Sequence, residues 1–233
     1  MQTKRPGTQA SVVSHLEAVS CPVNGQSRRE EIFNAITHGL GLVLSIVGLL
    51  VMAIYSGLQG DLGVFVCCSI FGSTMVMTYA ASTLYHSTRF YYAKKTLQTL
   101  DHSCIYLLIA GSYTPFAVLA LGGSWGWGLF IFAWGMAVVG IALKFLMTTR
   151  HPFWETLIYL AMGWAAVIVF VPLKQSLPTE GFALLIAGGL FYSVGTVFYI
   201  LRKIPYHHGI WHLFVMAGSA CHFFSVYYSL VAQ

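Results

Sequence analysis

Seven apolar stretches, each near the length that a helix needs to cross a bilayer, dominate the chain. One crossing takes about 20 apolar residues, because a helix rises about 1.5 Å per residue. Short polar breaks such as Gly122-Gly123-Ser124 and Pro178-Thr179-Glu180 separate the stretches. The pattern predicts an all-α integral membrane protein, folded as a bundle of seven transmembrane helices. The predicted spans are Phe33–Tyr55, Leu62–Tyr85, Leu100–Leu121, Trp125–Met147, Phe153–Val171, Phe182–Leu201 and Ile210–Val231.

The first 30 residues do not share this apolar pattern. They hold Pro, Ser, Gln, Asn and charged residues without helical periodicity, which predicts a poorly ordered N-terminal arm over residues 1–30. The seven-helix domain is then expected over residues 31–233. The opening Met1-Gln2-Thr3-Lys4-Arg5 is not followed by an apolar stretch, so we expect no cleaved signal peptide.

The basic residues predict the orientation of the bundle. Of the 12 Lys and Arg residues, 11 precede the first span or lie in the loops after spans two, four and six; only Lys174 lies in the opposite loops. Cytoplasmic loops of membrane proteins carry such an excess of Lys and Arg. We therefore expect a cytoplasmic N-terminus, a C-terminus outside the membrane, and an odd number of spans.

Composition excludes several classes of protein. The chain is 57% hydrophobic and 8% charged, whereas soluble domains are about 45–50% apolar and about 25% charged. A soluble globular enzyme and a disordered chain are both excluded. The formal charge of +5 is scattered between apolar segments, so we expect no nucleic-acid partner. The five cysteines contain no CxxC pair, which argues against a disulfide framework and a thiolate metal site.

Ionisable residues at three helix ends are the main candidates for chemistry. His86 ends the second predicted span, Asp101 begins the third, and His208 and His212 begin the seventh. Polar residues at membrane depth are costly to bury, so each is a functional candidate. Because all three helix ends lie on the predicted cytoplasmic side, we expect these side chains at one depth.

The spacing of these residues suits a metal ion. His208 and His212 are four residues apart, so they share one helical face, and His86 would complete a three-histidine set. Catalytic zinc commonly has three protein ligands and a water molecule. Asp101 could hold that water, orient a ligand or act as a general base, and Ser82 could hydrogen-bond the water. The competing interpretation is a set of hydrogen-bonded packing histidines.

A second polar cluster opens the first predicted span. Glu31, Asn34 and His38 share one helical face. They could fix the tautomers of metal ligands, or Glu31 could simply be an acidic residue that the helix dipole favours. His222 lies about 15 Å deeper than His212 by helical rise, so it cannot share the same metal. It could line a cavity or pack in the core.

Several ordered motifs carry a resemblance to a known family. From Glu30 to its end, the sequence resembles the bacterial hemolysin III proteins, within the progestin and adipoQ receptor superfamily. The matching motifs include Glu31-x-x-Asn34-x-x-x-His38-Gly39, Ser82-Thr83-Leu84-Tyr85-His86, Leu100-Asp101-His102 and Ile204-Pro205-Tyr206-His207-His208-x-x-Trp211-His212.

The resemblance implies a multi-pass protein of the bacterial inner membrane with a zinc site that faces the cytoplasm. It implies His86, His208 and His212 as zinc ligands, with Asp101 and Ser82 about the zinc-bound water. Adiponectin receptors and alkaline ceramidases look similar at these positions, and ceramidase-type amide hydrolysis is associated with that constellation. Membrane lipids are the expected partners.

Three functions follow as hypotheses. The first is a zinc-dependent hydrolase of a lipid, such as a lipid amide. The second is a pore-forming cytolysin, which the family name favours but the apolar chain without a signal peptide does not. The third is a receptor-like regulator of membrane state with structural zinc. Structural zinc sites usually have four protein ligands, so three histidines favour catalysis.

Overall fold

Seven helices in the described part of the chain are long and apolar enough to cross a membrane. The computed structural model describes residues 20–146 and 152–231, and within these residues every regular element is helical. The predicted all-α, seven-helix architecture is confirmed; most of the predicted arm lies outside the described residues. We call the helices spans 1 to 7. Their bounds are Arg28–Gln59, Leu62–Ser87, Tyr91–Leu121, Gly123–Leu146, Phe153–Ser176, Thr179–Ile200 and His207–Val231.

Local capping makes span 1 begin earlier than its apolar pattern indicates. The Ser27 hydroxyl accepts a hydrogen bond from the Glu30 amide, and the Glu30 carboxylate accepts one from the Ser27 amide. This capping box satisfies amides that the first turn leaves without helical partners. At the far end Gly60 takes a left-handed conformation with φ of 75°, and Asp61 caps span 2 by accepting from the Val64 amide at 3.0 Å.

The ends of the spans that carry Lys and Arg meet on one side of the bundle. The start of span 1 contacts the end of span 2 through Glu31 and His86, and it contacts the start of span 7 through Glu30 and Tyr206. The starts of spans 3 and 5 meet through His102 and Glu155. We call this side the basic face. That it faces the cytoplasm stays a prediction.

Two spans depart from α-helical geometry in their apolar part. Span 3 continues past Pro115 as π-helix over Phe116–Leu121, and span 5 contains a 3-10 segment over Trp164–Val169. The Tyr113 hydroxyl supports the second break, since it accepts from the Ala166 amide at 3.0 Å and approaches the Gly163 carbonyl at 2.7 Å. Irregular backbone at membrane depth is tolerated where such partners satisfy its polar groups.

An apolar cavity lies between two packed cores. One core joins spans 1, 2, 3, 5 and 7 around Phe71 and Tyr79; the other joins spans 3, 4 and 5 around Tyr106 and Met162. The cavity, of about 170 Å³, is lined mainly by spans 3, 5, 6 and 7. Its polar lining includes Asp101, His38 and His222, so it extends from the basic face toward the middle of the bundle.

Candidate metal centre

Three imidazoles converge where spans 2 and 7 meet at the basic face. One ligand atom each from His86, His208 and His212 lies within 4.8 Å of the other two. The ring centroids of His208 and His212 are 4.6 Å apart, and each is 5.1 Å from that of His86. His86 and His212 are buried, and His208 is partly buried. The two span-7 histidines occupy successive turns, which is why both reach the same point.

A carboxylate orients His86. The Nδ1 atom of His86 lies 3.0 Å from Oε2 of Glu31, at the start of span 1. A carboxylate accepts hydrogen bonds, so Nδ1 of neutral His86 is the protonated nitrogen and Nε2 carries the free lone pair. Metal-ligating histidines commonly donate their second nitrogen to a carboxylate in this way.

The Thr37 hydroxyl gives His212 the same tautomer as His86, with the proton on Nδ1. Thr37 Oγ1 donates to the Asn34 carbonyl at 3.0 Å and lies 3.1 Å from His212 Nδ1. Since the only hydroxyl proton is directed to that carbonyl, Thr37 accepts from Nδ1–H of His212. The Nε2 atom of His212 is therefore left as an acceptor.

The remaining nitrogens of the triad fit a metal ion. Among the described residues, Nε2 of His86, of His208 and of His212 is buried without a hydrogen-bond partner. A buried polar atom without a partner destabilises a fold by about 1–3 kcal/mol. Three buried imidazoles at one place are a donor set that suits a zinc ion, which commonly takes three protein ligands and keeps one open position.

The structure places Asp101, Ser82 and His38 beside the triad. Asp101 is buried, lines the cavity and lies beside the Ser82 hydroxyl, although the two form no hydrogen bond of ordinary geometry. His38 stacks on His212 with ring centroids 3.4 Å apart. None of the three belongs to the group of converging ligand atoms. Asp101 therefore lies outside the candidate ligand set.

The other polar residues named from the sequence lie outside the triad. The buried Asn34 amide donates to Gln26 at 2.8 Å and contacts no histidine through its side chain. His207 is directed away, with Nδ1 3.1 Å from the Phe198 carbonyl. His222 lines the cavity against Tyr192, at 5.3 Å between ring centroids.

Three supporting residues were not predicted from the sequence. Lys94 Nζ donates to Glu31 Oε2 and to the Tyr85 carbonyl, both at 2.8 Å, and the Asn24 amide donates to Glu31 Oε1 at 2.6 Å. Thr37 is the third. Their side-chain types are common at helix ends, and no spacing signal marks them. Only the packing of spans 1, 2, 3 and 7 identifies their partners.

Comparison with known proteins assigns the family. The model of the family described as "Haemolysin-III related" matches residues 26–223, which include the three histidines of the triad. The chain belongs to this family. The resemblance drawn from the motifs is thereby confirmed, and haemolysin III homologues with seven apolar helices point to a multi-pass membrane protein.

Individual relatives in this family match nearly the whole chain. The Hemolysin-3 homolog of Bacillus subtilis (strain 168) is 46% identical over 203 residues, 87% of this chain and 95% of that protein. Hemolysin-3 of Bacillus cereus is 44% identical over 198 residues, 85% of this chain and 90% of its own. The human monocyte to macrophage differentiation factor is 30% identical over 217 residues, 88% of each. This wider match agrees with the superfamily that the motifs indicated.

Proposed function

We propose that this haemolysin III protein is a zinc-dependent hydrolase that cleaves a lipid amide at the basic face of the membrane. The observation that carries the proposal is the triad of His86, His208 and His212: one ring nitrogen of each lies within 4.8 Å of the other two, and their buried Nε2 atoms have no hydrogen-bond partner. His38, which stacks on His212, lines the apolar cavity. Both ring nitrogens of His38 and of His222 also lack partners among the described residues, so the convergence of three imidazoles within 4.8 Å is what favours a metal ion over packing histidines.

The cavity supports a lipid substrate. Apart from a few polar groups, its wall is formed by side chains such as Leu108, Phe116 and Leu185. A dry cavity of about 150 Å³ is enough to bind an apolar molecule of benzene size. An acyl chain in the cavity would bring its carbonyl group to the end that holds Asp101 and His38.

The side chains around the triad have separate roles in this proposal. Zinc held by three imidazoles supplies a Lewis acid for a carbonyl oxygen and activates water at neutral pH. The Asp101 carboxylate takes a proton from the attacking water and returns it to the leaving nitrogen, which yields a carboxylic acid and an amine. The Ser82 hydroxyl donates a hydrogen bond to the oxygen that gains charge. Glu31 and Thr37 keep the imidazoles in the required tautomer.

The experiment is hydrolysis of a panel of lipid amides by purified protein and by Asp101→Asn. General acid–base catalysis contributes about 10²- to 10⁴-fold, so the variant should lose at least 100-fold in rate while its zinc content is unchanged. His207→Ala is the matched control, because that side chain is directed away from the triad. Undiminished hydrolysis by Asp101→Asn would contradict the assigned role. Zinc-loaded wild-type protein that cleaves no lipid amide would favour a receptor-like regulator.

A second candidate function is membrane lysis, which the names of the two Bacillus relatives favour. Dye release from vesicles distinguishes the two functions. If lysis is the direct function, release should persist in a His208→Ala/His212→Ala variant that has lost hydrolysis. If release follows from hydrolysis, both should be lost together.

A further inference from the structure

A second cavity, of about 640 Å³, lies at the basic face, and its lining, which includes Glu31 and His86, shares no residue with that of the apolar cavity. The starts of spans 1 and 3, the end of span 2 and residues 20–22 surround it. We call it the basic groove. The lining residues that matter for its chemistry are Arg28, Glu31, Ile32, Ile36, Arg89 and Lys94.

The groove has an excess of positive charge. Lys94 is neutralised by Glu31, at 2.8 Å from its carboxylate. Arg28, the first residue of span 1, and Arg89, in the loop before span 3, form no ion pair among the described residues. Two guanidinium groups from different elements thus line one cavity, and the Glu31 carboxylate in that cavity pairs with Lys94 rather than with either of them. Guanidinium groups suit phosphate because they offer paired donors in one plane.

The surroundings place the groove at the level of lipid headgroups. On one side, Ile32 and Ile36 of span 1 lie one turn apart and are 47% and 65% exposed. On the other, Phe90 and Tyr92 follow Arg89 and are 82% and 84% exposed. Exposed aromatic residues next to basic ones are typical of the membrane–water interface. The groove therefore joins a cationic site to an apolar surface that faces the acyl chains.

We propose that the basic groove binds one anionic phospholipid. Arg28 and Arg89 bind its phosphate, and an acyl chain lies along Ile32 and Ile36. Basic pockets between membrane helices are suited to anionic headgroups. A soluble phosphate compound would use the two arginines but leave the isoleucine surface uncovered, so the lipid is the occupant that matches the whole site.

This site is separate from the proposed substrate cavity. The two cavities share no lining residue; Glu31 and His86 line the groove, whereas Asp101 and His38 line the apolar cavity. The proposal therefore does not rest on hydrolase activity and can be tested without it.

The test is retention of phosphatidylglycerol or phosphatidylcholine by the purified full chain in neutral detergent, counted by native mass spectrometry during a lipid titration. One phosphatidylglycerol should be retained in preference to phosphatidylcholine. In Arg28→Gln/Arg89→Gln its apparent affinity should fall about 30-fold, because each cation near an anionic headgroup contributes about fivefold. Arg202→Gln/Lys203→Gln is the matched control, on the same face but outside the groove.

Two results of the lipid titration would overturn the proposal. One is equal retention of the two lipids. The other is an equal loss of phosphatidylglycerol in both double variants, which would show a general charge effect of the basic face.

A competition with glycerol phosphate tests the apolar part of the site. Displacement of the lipid at equimolar glycerol phosphate would show that the acyl chain contributes nothing and would contradict the assigned occupant.

Discussion

At the scale of residues, the proposed metal centre depends on two side chains that hold the imidazoles. Glu31 accepts from His86 and Thr37 accepts from His212, so both Nε2 atoms stay available. Glu31 also neutralises Lys94, which is buried. One carboxylate therefore supports both a candidate ligand and a buried cation.

We expect Glu31→Gln to weaken zinc binding by about 10- to 100-fold, the usual effect of losing a partner of a metal-ligating histidine. The neutral side-chain amide of this variant lacks the negative charge with which the Glu31 carboxylate favours a proton on Nδ1 of His86. Competition with a chromophoric chelator measures the affinity.

The matched control is Glu30→Gln. The Glu30 carboxylate bonds Ser27 and the Tyr206 amide but contacts no histidine of the triad, so its loss weakens a helix cap and should leave zinc affinity unchanged. Equal losses in the two variants would mean that Glu31 acts only on the stability of span 1.

How far the sequence predicts the site depends on residue type. Histidine at membrane depth is rare, so His86, His208 and His212 stand out, and helical spacing alone puts the last two on one face. Thr37 and Asn24 are ordinary polar residues at a helix end. Their partners are set by the packing of spans 1, 2 and 7, which spacing within one segment cannot give.

At the scale of elements, glycine allows spans 3 and 4 to approach closely. A Cβ atom at Gly126 would overlap the carbonyl oxygen of Ala117, a backbone atom in the π-helical part of span 3. The side chain of Ala117 is also fully buried at this contact. Small residues at such positions let membrane helices pack backbone to backbone.

Gly126→Ala should destabilise the protein by about 1–3 kcal/mol, because the two spans must separate to admit the methyl group. Thermal unfolding in detergent measures the change. Gly128→Ala is the control in the same helix, where a Cβ atom has no neighbour within 4 Å. It should be neutral or stabilising by up to about 1 kcal/mol, since alanine favours helix. Similar destabilisation by both would contradict the packing argument.

A buried ion-pair cluster ties spans 3, 4 and 5 together at the basic face. Lys144 Nζ lies 2.6 Å from Glu155 Oε1 and 2.9 Å from His102 Nδ1, and His102 lies 3.2 Å from Glu155 Oε2. His102 follows Asp101 directly, so the cluster also holds the part of span 3 that carries the proposed base.

Lys144→Met should lower the free energy of unfolding by about 3 kcal/mol, because it leaves the buried Glu155 carboxylate without its cation. Adding Glu155→Gln to this variant should restore most of the lost free energy of unfolding, because the carboxylate without a cation is then removed. Exposed Lys95→Met, on the same face, is the control and should change stability by less than about 0.5 kcal/mol. A double variant no more stable than Lys144→Met would show that the ion pair is not the cause.

The boundaries of the elements were less predictable than their number. Apolar length identifies all seven spans, but span 1 begins at Arg28 because Ser27 and Glu30 cap it. The Ser-x-x-Glu pattern is a capping signal that would have indicated this start. The 3-10 segment of span 5 has no such signal, since it depends on the Tyr113 hydroxyl of another helix.

At the scale of the whole molecule, charge predicts the direction in which the bundle crosses the membrane. The basic face carries the starts of the odd-numbered spans, so an odd number of spans puts the two termini on opposite sides. The cavity, in contrast, was beyond the sequence, because it is the space that side chains from several spans leave unfilled.

The topology prediction is tested with reporters fused after Gln233. Alkaline phosphatase, which folds outside the cytoplasm, should be active there, and green fluorescent protein should be dark. A second pair inserted after Gln59, at the end of span 1, should behave in the same way. A fluorescent C-terminal fusion would contradict either the orientation or the number of crossings.

Metal content tests the central claim most directly. Elemental mass spectrometry should find about one zinc per chain in purified, detergent-solubilised protein that has met no chelator. The His208→Ala/His212→Ala variant, which removes two of the three converging nitrogens, should retain almost none while remaining folded. Folded wild-type protein without metal, or undiminished zinc in the variant, would contradict the assignment of the triad as a metal centre.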